Sequence, residues 1–216
     1  MTASLFAVEI GRSTVTHKPR RTIMKRLWLV GLAMLPALLL VVPAVPADDK
    51  KKEKEPDVIY VPTPQPVVDK MLELAEVKKD DVVYDLGCGD GRIVVTAAKK
   101  FGCKAVGFDI DPERIKDSLK NVKDNNVGDM VEIKKQDIFE LDLSKANVIT
   151  LYLLPELNVK LIPQLEKMKP GSRIVSHDFD MRGVKPKKVV TVKSDGDSGR
   201  EHTVYLWVTP LEKEKN

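Results

Sequence analysis

A chain of 216 residues has room for one domain of ordinary size plus extra segments, and its 43% apolar content supports a packed core. Aromatic content is low at 5%, which gives base-stacking schemes little to work with. The formal charge of +4 is also misplaced for nucleic-acid binding. Residues 1–47 hold six Lys/Arg and a single acid, and the remainder carries 30 basic and 31 acidic residues, so a basic nucleic-acid-binding body is not indicated.

Residues 1–23 are polar and irregular, and Met24 offers an alternative start. Met24-Lys25-Arg26 is a short positive stretch, residues 27–42 are apolar apart from the break at Pro36, and Val45-Pro46-Ala47 places small or short residues before a cut at Asp48. This is the anatomy of a secretory signal peptide. The same run approaches the ~20 residues that span a bilayer, so a membrane anchor is the alternative. Either way residues 1–47 read as a leader that exports the domain or ties it to a membrane, and a cytoplasmic face stays open. Residues 48–57 are a mixed-charge run without apolar periodicity, expected as a solvated tether. The domain is expected over 58–210, with a tail at 211–216. Cys88 and Cys103 are expected as free thiols, since a cross-link would constrain the loop that holds Cys88, and no Cys/His cluster has metal spacing.

Pro62 and Pro64 make residues 58–65 extended, and Thr63 is placed to cap a helix with Pro64 at its first position. Apolar residues at helical spacing predict that helix over 66–76. Val82, Val83 and Tyr84 begin a buried strand. Helix 92–101 follows, closed by Gly102. Strands are then expected at 104–108, 131–135, 147–151 and 173–176, with a helix from Pro112 to about residue 125 and another defined by Leu157, Leu161, Leu165 and Met168. Residues 189–192 and 202–208 read as an antiparallel hairpin. Alternating strands and helices imply a mostly parallel α/β sheet with helices on both faces.

Between the first strand and its helix lies Asp85-Leu86-Gly87-Cys88-Gly89-Asp90-Gly91. Glycines at alternate positions allow a sharp turn and close approach of a ligand to the backbone, and the next helix aims its N–H groups at that ligand. The spacing is not the G-x-G-x-x-G of dinucleotide sites. Asp85 is poorly placed for a phosphate and well placed for an amino group or an ordered water. Asp109 ends the second strand, 22 residues after Gly87, where an acid can accept both hydroxyls of a ribose; Ile110 follows it, and Asp111 is the weaker candidate.

The loop resembles motif I of the class I (seven-β-strand) methyltransferases. That resemblance implies S-adenosylmethionine as cofactor, held at Asp85, Gly87, Cys88, Gly89 and Gly91, and a Rossmann-like sheet of order 3-2-1-4-5-7-6. It also implies that Asp137 meets the adenine amino group and that the Ile138 N–H meets a ring nitrogen; an Asx turn at Asp137 is the plainer alternative. The segment Tyr60-Val61-Pro62-Thr63-Pro64, with Gly107-Phe108-Asp109-Ile110-Asp111, Leu151-Tyr152-Leu153-Leu154-Pro155 and Ser176-His177-Asp178-Phe179, is similar to small bacterial methyltransferase-domain proteins. Those are similar in turn to the mitochondrial lysine methyltransferases of the ATP synthase c subunit and the adenine nucleotide translocase, which implies a protein lysine as acceptor and a role for Tyr60 and Thr63 in closing the cofactor site. Tyr152, after the fourth strand, is a candidate lining for the acceptor channel, against a simple strand-end aromatic. His177, expected in a rim loop after the fifth strand, is a candidate base, against a polar packing residue. No [DN]-P-P-[YF] tetrapeptide follows the fourth strand, which argues against base methylation. A small-molecule acceptor, or an exported module that binds S-adenosylmethionine or a nucleoside without catalysis, are the competing readings.

Overall fold

The computed structural model describes residues 59–194 and 199–214; the expected leader, its signal-peptide or anchor alternatives and the tether lie outside them. Among the described residues no helix is long and apolar enough to cross a membrane. Seven strands form one sheet: β1 (Val82–Leu86), β2 (Lys104–Asp109), β3 (Val131–Lys135), β4 (Val148–Leu151), β5 (Arg173–His177), β6 (Lys188–Lys193) and β7 (Glu201–Val208). Their order is β3-β2-β1-β4-β5-β7-β6, as the resemblance implies. The five strands from β3 to β5 pair in parallel, and β7 runs antiparallel to both β5 and β6.

Successive strand residues point to opposite faces, and both faces are covered. Val83, Val148 and Val175 pack against α1 (Gln65–Leu74) and α2 (Arg92–Phe101), in a cluster that also takes Val122 from α3 (Pro112–Asp124). Their neighbours Tyr84, Ile149 and Ile174 pack with Leu161 and Leu165 of α4 (Pro155–Leu165) and with Trp207. Trp207 is fully buried and donates Nε1–H to the Val184 carbonyl at 3.0 Å. Trp207→Phe removes volume and leaves that carbonyl without its partner. It should lower the unfolding free energy by about 2–3 kcal/mol, read by chemical denaturation.

Local expectations fail in two places, at Thr63 and at His177. Thr63 does not cap α1: the N-cap is Pro64, without a side-chain cap bond, and the Thr63 hydroxyl turns to His177 instead. His177 is not in a loop but is the last residue of β5, fully buried. The tail expected at 211–216 is joined to the body as far as it is described, with Leu211 packed on the core and Lys213 bridged to Val184.

Candidate active site

The sheet reverses its winding between β1 and β4, and ligands of open α/β sheets sit beyond the carboxyl ends of such strands. A cavity of about 510 Å³ opens there, within the usual range for small-molecule sites. Of the fourteen positions singled out from sequence, eleven line it: Tyr60, Thr63, Asp85, Gly87, Cys88, Asp109, Ile110, Asp111, Asp137, Ile138 and Tyr152. Gly89, Gly91 and His177 do not, and each has a structural reason.

Gly89 is roofed over. Its φ is +54°, and a Cβ there would lie 2.2 Å from Cε2 of the Tyr60 ring. The Tyr60 ring therefore packs directly on the loop at Gly89, with the Arg114 guanidinium over the ring, 4.8 Å from its centre. The strap that carries Tyr60, residues 59–63, is fastened again where Arg92 donates to the Thr63 carbonyl at 2.9 Å. Arg92 in turn holds Asp90 through several short bonds, one of 2.6 Å. Gly91 packs on α3, where a Cβ would meet Ser118 at 3.1 Å.

Asp109 braces the loop from the other side. Its Oδ2 accepts from the Gly89 N–H at 2.9 Å and its Oδ1 from the Asp111 N–H at 3.0 Å. A carboxylate has about four acceptor positions, so lone pairs are left for a ligand's hydroxyls. Asp111 also lines the cavity, and its Oδ1 accepts from Glu113 N–H to cap α3. Asp137 likewise accepts from Phe139 N–H, the Asx turn considered above, and opens a short 3₁₀ turn over Ile138–Glu140 while still lining the cavity.

Asp85 is the most perturbed acid. It is buried on a central strand, and burial pushes its carboxyl up to about 7, with the Thr150 hydroxyl bond opposing the rise and Asp109 and Asp90 adding to it. Thr150 sits opposite it in the β1–β4 register and donates to Oδ1 at 2.7 Å. A buried acid of this kind is relieved by a cationic ligand group. An ammonium beside Asp85 and vicinal hydroxyls beside Asp109 describe the amino-acid and ribose ends of one molecule. Burial, and after it Asp85, pushes the Cys88 thiol well above its ordinary value, so it stays protonated and is no nucleophile.

On the far wall stand Tyr152, Leu153 and Leu157. The Tyr152 ring lies 3.9 Å from that of His177, and 5.9 Å from Phe179. His177 is thus one ring removed from the cavity. Burial drives its pKa down to about 4, Asp178 pulling the other way. It meets the cavity only through that ring and through the Thr63 hydroxyl, 3.2 Å from its Nδ1, so it does not face a group in the cavity directly.

Sequence reasoning missed Thr150, Ser118 and Arg92. Ser118 is buried on α3 and donates to the Gly89 carbonyl at 2.6 Å. A hydroxyl on a helix face that also buries Val122 is a readable signal, as is Thr150 in the run Val148-Ile149-Thr150-Leu151.

Known proteins bear on this site directly. The ANTKMT methyltransferase domain model matches residues 85–188, and that of the histone methylation protein DOT1 matches residues 42–120. A protein-lysine N-methyltransferase of Saccharolobus islandicus is 53% identical over 155 residues, which are 71% of this chain and 94% of the relative. A ribosomal protein L11 methyltransferase of Alkaliphilus oremlandii is 31% identical over 54% of this chain and 36% of its own length. The crystal structure of an RNA methyltransferase from Salinibacter ruber, in complex with S-adenosyl-L-homocysteine, is 51% identical with a TM-score of 0.64, covering 72% of this chain and 98% of that one. Sharing about half of the aligned residues with two methyltransferases over nearly their whole length, and the strand order of the class, the chain belongs to the class I S-adenosylmethionine-dependent methyltransferases.

Proposed function

We propose that the protein methylates the ε-amine of a lysine in a protein acceptor. The observation that carries this reading is the 53% identity, over nearly its whole length, to a relative described as a protein-lysine N-methyltransferase. Bound S-adenosylmethionine supplies an electrophilic methyl group. The chain's own part is to hold the cofactor and to present a neutral amine. In this reading Asp85 faces the cofactor's ammonium, Asp109 its ribose hydroxyls, and Asp137 and the Ile138 N–H its adenine. Tyr152, Leu153 and Leu157 form a low-polarity wall, which disfavours the charged form of an incoming lysine and so lowers its pKa. With His177 set behind Tyr152, the lysine ammonium gives its proton to bulk water as it enters this wall, and the neutral amine is the form that meets the methyl group.

A second reading has one observation in its favour: the 51% identical structure is described as an RNA methyltransferase. The near-neutral charge beyond residue 47 and the low aromatic content support protein over RNA. The test is to incubate the full chain with methyl-labelled S-adenosylmethionine and cell extract. Protease-sensitive label recovered as Nε-methyllysine is the expected result. Label lost to ribonuclease and recovered as methylated nucleoside supports the second reading, and label confined to small molecules overturns both. The leader adds a proposed location, the envelope or a membrane, so label should concentrate in those fractions.

The Asp85 role has a pH signature. An ammonium favours the ionised carboxylate, so binding expels the proton that Asp85 holds below about pH 7. Affinity for S-adenosylhomocysteine should therefore rise with pH up to about 7. Well below 7 it should fall by up to roughly tenfold per pH unit. Asp85→Asn should flatten this dependence in titration calorimetry from pH 5 to 8, and an unchanged slope would remove Asp85 from the ammonium site.

A further inference from the structure

Behind Tyr152, outside the cavity lining, three potential metal donors meet: His177 at the end of β5, Asp178 after it, and His202 on the neighbouring strand β7. We propose that these residues form a divalent-metal site of the His/His/Asp kind, suited to Zn²⁺.

The donor atoms make a small triangle. His177 Nε2 is 2.8 Å from His202 Nδ1, which is 3.2 Å from Asp178 Oδ2, which is 3.4 Å from His177 Nε2. A point ~2 Å from all three lies just outside their plane, and that is the bond length of zinc to imidazole nitrogen and carboxylate oxygen. Neutral imidazoles, with one proton each, do not satisfy the triangle. A proton on His202 Nδ1 leaves His177 Nε2 and Asp178 Oδ2 facing each other with lone pairs, and a proton on His177 Nε2, donated to His202 Nδ1, leaves His202 Nδ1 and Asp178 Oδ2 doing so at 3.2 Å. Protons on both nitrogens set N–H against N–H across the shortest edge. A dipositive ion satisfies all three edges together.

The surroundings are those of an oriented ligand set. The other nitrogen of His177 meets the Thr63 hydroxyl at 3.2 Å, and the other oxygen of Asp178 accepts from Thr203 N–H at 2.8 Å. Such outer partners fix ring and carboxylate orientation in metal sites. Asp178 is held at φ +57°, uncommon for a non-glycine, and this conformation accompanies a carboxylate turned toward both imidazoles. Arg200, on a half-exposed arm, also reaches Asp178 Oδ2 at 3.0 Å and would share that oxygen through its second lone pair. A metal here is structural. It pins β5 to β7 under the Tyr152 ring and, through Thr63, fastens the strap.

The test uses the full chain, stripped with a chelator and titrated with Zn²⁺ alone by calorimetry and with Co²⁺ by visible absorption. One ion per chain, the absorption bands of a low-coordinate Co²⁺ site, and a rise in the thermal midpoint with Zn²⁺ are expected. His202→Ala should bind at least a hundredfold more weakly and lose both the bands and the shift. Asp178→Asn, which keeps the volume, serves if His202→Ala does not unfold cooperatively. Absence of uptake by the cooperatively folded wild type overturns the proposal, as does uptake undiminished in a folded variant; the cluster is then a hydrogen-bonded relay only.

Discussion

Asp109→Ala should weaken S-adenosylhomocysteine binding about a hundredfold, ~2.8 kcal/mol. Two losses add. The ligand's hydroxyls lose a charged acceptor, a contact typically worth about 1.5–3 kcal/mol. The glycine loop also loses the bond that Oδ2 makes to the Gly89 N–H, so the cradle itself loosens. Asp109→Asn is the milder change, since its one oxygen can still accept from the Gly89 N–H while its NH2 faces the Asp111 N–H. It keeps one oxygen acceptor and nearly the same shape, and should lose only about tenfold. Calorimetric titration of the three proteins, with thermal unfolding as a control for folding, decides the matter. Binding by Asp109→Ala within threefold of wild type would take Asp109 out of the cofactor site.

Gly89→Ala should lower affinity by a similar factor, for a steric reason. The new methyl would sit 2.2 Å from the Tyr60 ring, at a backbone angle that alanine rarely adopts. The ring must leave, and with it the contacts to Arg114 and to the loop. Tyr60→Ala removes the obstacle in advance. In that background Gly89→Ala should cost several-fold less than in the wild type, leaving only the backbone strain. A double-mutant cycle on S-adenosylhomocysteine affinity measures the difference. Additive losses would mean that the strap does not lie on the loop in solution.

The first strand, loop and helix were the most legible part of the chain. Helix α2 runs over the residues expected of it because left-handed glycines, Gly91 and Gly102, close both ends. Local chemistry sufficed there. It failed for Thr63, where a hydroxyl well placed for capping is taken by a histidine 114 residues away. It failed for His177 in the same way. A polar residue at a strand end reads as a rim loop, unless a second histidine on a neighbouring strand makes burial tolerable. The partner lies 25 residues on, on the antiparallel strand β7, and nothing within a short window announces it. The Asp137 turn is an intermediate case, since the same carboxylate both closes the turn and lines the cavity.

The strap also has a practical consequence. A minimal version of the domain drawn from the regular elements alone would begin at Gln65, the first residue of α1. It would keep the sheet, helices α1 to α4 and the glycine loop, and by circular dichroism it would pass as intact. It would also have discarded the roof of its own binding site, because Tyr60 and Thr63 precede the first helix. The chain enters the domain through the lid, so a tag, cleavage scar or surface attachment placed just before residue 59 applies its load first to the Tyr60 ring on Gly89.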